Sequence, residues 1–167
     1  MANHEARGDS RTSHRTIGRG TMNVGVEFRW NEAGKVRLDI AGKPEFPKLP
    51  AEPGIYALLF SGVAGTTVYI GEAENLQRRV AHYRNPGPSQ ATNIRLNERM
   101  RSHLVSTGRI RLRVITEARV QVDGSAEACD LSNAFARRFL ENAALLVAAS
   151  SGQKLRTCDE FPDGVSP

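Results

Sequence analysis

Three tyrosines, one arginine and one glutamate of this 167-residue chain combine side-chain type with spacing in a way that can do chemistry. Gly54-Ile55-Tyr56 and Tyr69-Ile70-Gly71 lie in two neighbouring β-prone runs, which puts two phenols on one sheet surface. Arg79 and Tyr83 stand four residues apart, one turn of a helix, and therefore share a face. Breaking a phosphodiester needs an activated water, charge compensation on the phosphoryl oxygens and help for the departing alkoxide. A phenol acts as a base only where a cation lowers its pKa from about 10, and Arg79 or a metal ion is the cation at hand. Taken singly, each residue also has a plain structural reading. Tyr56 and Tyr69 can be strand packing, Arg79 a solvated helix residue, Gly54 and Gly71 strand-end glycines, and Glu141 a helix ion-pair partner of Arg137 or Arg138. Only their joint spacing separates the two readings.

The elements that must position these groups are legible in the hydrophobic pattern. Val24, Val26, Phe28 and Trp30 alternate, Asn31-Glu32-Ala33-Gly34 looks like a turn, and Val36, Leu38 and Ile40 alternate again, which predicts an N-terminal β-hairpin. Pro44, Pro47, Pro50 and Pro53 exclude regular helix and predict an extended connector over residues 42–53. Ile55 to Phe60 and Thr66 to Ile70, joined by a glycine-bearing loop, predict a second hairpin. A helix capped by Asn75 follows, with Leu76 and Val80 on one face and Pro86-Gly87-Pro88 as its end. Thr92 or Asn93 caps a second helix striped by Leu96, Met100 and Leu104 and stopped by Gly108. Ile110, Leu112 and Val114 alternate with Arg109, Arg111 and Arg113, a strand whose cationic face either meets phosphates or is a solvated surface. A last helix runs from about Ser132 to Ala149, with Leu131, Phe135, Phe139 and Leu146 as its apolar stripe. This order predicts an α+β fold: a small central mixed or antiparallel sheet, made of the second hairpin plus a third strand, flanked by helices and preceded by the N-terminal hairpin.

Size and composition set the frame. The length suits one compact core. Residues 1–20 read as a flexible basic arm, 21–52 as hairpin and Pro-rich connector, 53–153 as the core and 154–167 as a C-terminal tail. In the arm, Arg7, Arg11, Arg15 and Arg19 recur every four residues, either to wrap phosphates or as a solvated tail. The net charge of +5, carried mostly by arginine, suits a polyanionic partner. Cys129 and Cys158 are too few and too far apart for a zinc site or a disulfide framework, and no apolar run is long enough for a membrane span. A cytoplasmic protein without a membrane partner is expected.

The paired tripeptides, with Pro53 before the first and Glu72 to Tyr83 after the second, resemble the signature of the GIY-YIG nuclease superfamily over residues 53–152. The resemblance implies a metal-dependent endonuclease that hydrolyses DNA. Tyr56 would be the general base, Tyr69 and Tyr83 would position phosphate and water, and Arg79, ten residues after Tyr69, would clamp the scissile phosphate. The Glu141-Asn142 pair resembles the family's metal-binding glutamate, and a hard carboxylate suits magnesium, or Mn2+ in its place. Gly71, Glu72, Arg78, His82, Arg95 and Gln153 are the further positions expected to touch DNA. Two departures stand out. Glu72 occupies a position where many relatives carry lysine, so it repels phosphate, binds a second cation or faces solvent. Gln153 stands nearest to where relatives carry an asparagine. Without an attached DNA-binding domain, a restriction-type enzyme acting as a homodimer is the expected subclass. A nuclease of single strands or branched junctions, or a silent nucleic-acid-binding module, is the alternative.

Overall fold

The computed structural model describes residues 21–106 and 108–155. The basic arm assigned to residues 1–20 and the tail beyond Leu155 lie outside the described residues.

In chain order the elements are β1 (Val24–Phe28), β2 (Asn31–Leu38), β3 (Pro44–Glu45), β4 (Gly54–Gly62), β5 (Gly65–Ala73), α1 (Leu76–Arg84), α2 (Ala91–Val105), β6 (Arg109–Ile115), β7 (Ala118–Val122), β8 (Ser125–Ala128), α3 (Ala134–Ser150) and β9 (Lys154–Leu155). A six-stranded sheet has the order β3-β2-β6-β4-β5-β9, and a three-stranded sheet the order β1-β7-β8. The α+β class and the central hairpin with β6 beside it match the expectation.

β4 is apolar without alternation from Ile55 to Phe60, because both its faces are covered. Tyr56, Leu58 and Phe60 enter a core shared with Leu76, Val80 and Tyr83 of α1 and Leu96 and Met100 of α2. Ile55, Ala57 and Leu59 enter a second core on the other face, closed by Leu140, Ala144 and Ala148 of α3 and by Val26 and Phe28 of the small sheet. The sheet is thus the middle layer between two helical ones.

Four expectations need correction. The N-terminal strands exist but form no hairpin: β1 pairs with β7 and β2 with β6, each antiparallel. Asn31 to Gly34 belong to β2, where an irregularity in register between Glu32 and Gly34 takes up the turn-like residues, with Gly34 at φ 137°. α2 starts at Ala91 after Gln90 without a side-chain cap, and Asn93 instead donates to Gln90 Oε1 from inside the helix. The tail contributes β9, which runs parallel to β5 at Thr67 and Val68. Finally, α3 buries Arg137, Leu140, Ala144 and Ala148, leaving Phe135 79%, Phe139 42% and Leu146 68% exposed. Small residues let α3 approach the sheet closely, and the bulky stripe points away from it.

Candidate active site

Each component of the site is set by local structure. Asn75 caps α1 through its side chain, which accepts from the Arg78 amide at 2.8 Å. The Leu76 and Gln77 amides donate to the carbonyls of Glu52 and Pro50, so the start of the helix is pinned to the Pro-rich connector. That fixes the rotation of α1 and points Tyr83 and Arg79 over the sheet. Tyr56 and Tyr69 come from the same face of β4 and β5, Tyr56 standing opposite Gly71 and Tyr69 opposite Leu58.

The four side chains converge. The hydroxyls of Tyr56 and Tyr83 are 2.5 Å apart, with either oxygen able to donate. The Tyr56 ring lies 6.2 Å from that of Tyr69 and 6.0 Å from that of Tyr83. The Arg79 guanidinium sits 5.8 Å above the Tyr83 ring, within cation–π range. Gly71 is required by this packing, since a Cβ there would fall 2.3 Å from the Tyr56 Oη. Gly54 has an equally local reason, as its Cβ would lie 2.5 Å from the Ile115 carbonyl oxygen. Gly71, expected to touch DNA, therefore has a demonstrable role in seating the phenol.

Tyr56 and Tyr83 are almost fully buried and form the floor under Arg79, not an open surface. Burial, then the neighbouring Tyr83 and Tyr69, push the Tyr56 phenol well above its usual pKa, and Arg79 works in the opposite direction without overcoming them. Arg79 is itself half-buried. Its desolvation is outweighed by Tyr56, Tyr83, Tyr69 and Glu72, which hold it in the charged form.

A cleft of about 280 Å³ opens above Arg79, lined by Glu72, Glu74, Asn75, Arg78, His82 and Arg137 among others. Arg78 is exposed and pairs with Glu74 at 2.9 Å, a solvated contact of small strength. His82 is exposed on the rim. Glu141 joins from α3, close enough to Glu72 and Arg79 for both charges to act on it. Burial and then Glu72 raise its carboxyl above the usual range, while Arg79 and Arg138 lower it. Among the described residues no hydrogen bond or ion pair engages Glu141; of the two helix partners considered, Arg137 is committed elsewhere and Arg138 acts on it only through its charge.

That commitment was not foreseen. Arg137 Nε donates to Glu72 Oε2 at 2.5 Å, and its Nη1 donates to the carbonyls of Leu131 and Ser132 at 2.9 Å each. Glu72 thus neither faces solvent alone nor stands as a bare repelling charge, because an arginine with 8% side-chain exposure compensates it across 65 residues of sequence. Its position in place of a lysine was the available signal that a cation must enter from another element. Two expected contacts lie outside the cleft. Arg95 is exposed on α2. Gln153 lies past the end of α3, in a groove with Trp30 and Arg113 on the other face of the sheet.

The donor set fits a hard divalent cation. Glu141 is a half-buried carboxylate without a partner among the described residues, beside a second carboxylate, and a cation there relieves the repulsion that raises its pKa. Among the described residues no group of three or more His, Cys, Asp or Glu side chains could hold a metal. No helix among them is long and apolar enough to cross a membrane.

No family model and no curated protein matches this chain. Among solved structures it is similar to that of a mutant of EndoII from bacteriophage T4, at 15% identity over 74% of this chain and 89% of that one, with a TM-score of 0.49.

Proposed function

We propose that this chain is a metal-dependent nuclease of the GIY-YIG type that hydrolyses DNA. The observation that carries the reading is the packing of three phenols beneath the Arg79 guanidinium, which lines the cleft, with the Glu141 carboxylate in electrostatic reach of that guanidinium. The composition adds a net charge of +5, suited to a phosphate polymer.

Arg79 holds the scissile phosphate. It is held charged, stands between the cleft and the phenols, and offers a forked donor to two phosphoryl oxygens. The Tyr56 and Tyr83 hydroxyls are hydrogen-bonded, so an anion formed on either would accept from the other and lie near Arg79. Tyr69, the least buried of the three phenols, orients the phosphate or the attacking water. Glu141 would hold a magnesium or manganese ion, which would supply further positive charge for the phosphoryl oxygens and for the deprotonation of water. Without that charge the Tyr56 phenol stays protonated at neutral pH, which explains why Arg79 alone does not make it a base.

A restriction-type enzyme, with one site per strand supplied by two copies, is the finer reading, and a panel of duplex, single-stranded and branched substrates tests it. The core reading is tested by incubating plasmid and magnesium with the wild type and with Tyr56→Phe, Arg79→Ala and Glu141→Ala. Each variant should lose a factor of about 10² or more in rate. Equal cleavage by all four proteins would assign the activity to a contaminant.

A further inference from the structure

A cavity larger than the cleft lies elsewhere among the described residues. It lies at the opposite end of the β4–β5 hairpin, has a volume of about 620 Å³, and is lined by Arg99, His103, Arg109, Lys154 and the hairpin tip. None of the described residues lining it is acidic, and Ser61 and Thr67 add hydroxyls. Arg99, Arg109 and Lys154 are exposed, and they come from α2, β6 and β9, so the fold gathers these cations from separate elements. The His103 ring is built in: its Nε2 bonds the Ser61 carbonyl at 3.1 Å, it packs edge-on against Phe60 at 5.4 Å, and a Cβ on Gly108 would fall 2.4 Å from it.

A row of basic side chains on α2 leads away from this cavity. Asn97 of α2 donates to the carbonyls of Tyr83 and Arg84, which anchors that part of α2 beside α1, while His103 reaches the hairpin tip. Arg95, Arg99 and His103 recur at four-residue spacing and share one flank over about 12 Å. Along β5, Glu72 of the cleft and Thr67 of the cavity are five residues apart, about 17 Å of strand. At about 3.4 Å per base pair this spans about five pairs of duplex.

We propose that the cavity formed by Arg99, His103, Arg109 and Lys154 is a second phosphate-backbone site, which grips DNA about five base pairs from the bond held at Arg79. This rests on DNA being the ligand of the cleft, and it is independent of whether the DNA is cut. The contact is to backbone phosphates, so it orients the duplex without reading its sequence.

Equilibrium binding of the full chain to DNA, without divalent metal and over a salt series, tests it. The triple variant Arg99→Glu, Arg109→Glu, Lys154→Glu is compared with a control, Lys48→Glu with Arg119→Glu, which reverses exposed charges away from both sites. For a duplex of about thirty base pairs, the slope of log K against log salt should fall by about 2–3 in the triple variant, with at least about tenfold weaker binding. The control should show neither change, and a duplex too short to extend about five pairs past the cleft should not distinguish the triple variant from the wild type. Equal slopes for triple variant and control would overturn the proposal. So would tight binding of inorganic phosphate, lost in the triple variant, alongside an unchanged DNA slope, since the cavity would then be a small-anion site. A wild type that shows the expected slopes but cuts nothing removes the nuclease reading and leaves this one standing.

Discussion

Replacing Gly71 by alanine separates two roles for that glycine, packing and approach to substrate. The added Cβ falls 2.3 Å from Tyr56 Oη, 2.6 Å from Cζ and 3.1 Å from Cε1, whereas ordinary contacts lie near about 3.5 Å. The Tyr56 ring has to retreat by about 1 Å. It has nowhere to go, because it is 2% exposed, rigid, and held between the rings of Tyr69 and Tyr83. Gly71 has no positive φ, so the cost comes from the clash and not from the backbone. Overpacking of this kind costs about 1–3 kcal/mol, and disturbing the buried Tyr56–Tyr83 hydrogen bond adds about 1 kcal/mol, giving about 2–4 kcal/mol in all. With a urea m-value of about 2 kcal/mol/M, the unfolding midpoint moves down by about 1–2 M. Tyr56→Phe removes the atom nearest the new methyl but leaves Cζ, so the double variant should be less unstable than the sum of the singles by about 1 kcal/mol. Urea unfolding of the four proteins, with m checked for constancy, measures this. A Gly71→Ala variant within about 0.5 kcal/mol of wild type, or strict additivity, would refute the packing argument and return Gly71 to a role in substrate approach.

Two further expectations follow from the charges. The Glu141 carboxyl has a raised pKa in the folded state, so its ionised form is disfavoured by folding; the resulting penalty is present above the folded pKa and fades as pH falls toward the ordinary carboxylate range. Glu141→Gln should therefore melt higher than wild type at neutral pH in chelator, and the two melting curves should converge as the buffer is acidified. A gap that widens toward acid would contradict the assignment. Arg137→Met strips Glu72 of its partner and leaves the Leu131 and Ser132 carbonyls without their donor, at a cost of about 3 kcal/mol. Most of that should return in the double variant with Glu72→Leu, and a denaturation cycle that finds no coupling would show the pair to be incidental.

What the sequence disclosed was local. Tyr56, Tyr69, Arg79 and Tyr83 could be brought together on paper because two adjacent strands and the next helix contain them, and each step between them is short. Asn75 announced its helix for the same reason. The partners of β1 and β2 were not legible, since Val24 meets Val122 and Val36 meets Ile110, and the alternation that marks a strand does not name its neighbour. Asn31 to Gly34 carry turn chemistry and sit in a strand because β6 supplies the pairing that overrides it. The β7–β8 hairpin was legible and overlooked: Asp123-Gly124, with φ of 48° and 85°, is the two-residue turn that positive φ demands. On α3, residue size misled, because contact with the sheet falls to Leu140, to Ala144 and Ala148, and to Arg137, whose aliphatic stem lies buried while its head meets Glu72.

The location of the site follows from the layering. Phenols and Arg79 belong to the face covered by α1 and α2, whereas Arg137 and Glu141 belong to the helix on the other face, and a six-stranded sheet separates the two. Side chains from both layers can meet only where the sheet ends. β9 closes the outer edge of β5 at Thr67 and Val68 alone, so from Tyr69 to Ala73 no described strand pairs with that edge. Glu72 stands on this open stretch, receives Arg137 from one layer and lies within electrostatic reach of Arg79 from the other. An open edge ordinarily invites another strand, and here helices and charged side chains occupy it. A strand engineered to pair with β5 from Tyr69 to Gly71 would cover the place where the layers touch. A chain engineered that way should keep its fold, as its melting temperature would show, yet lose the proposed metal and phosphate binding together, because Glu141 and Arg79 act on each other across this open edge of β5.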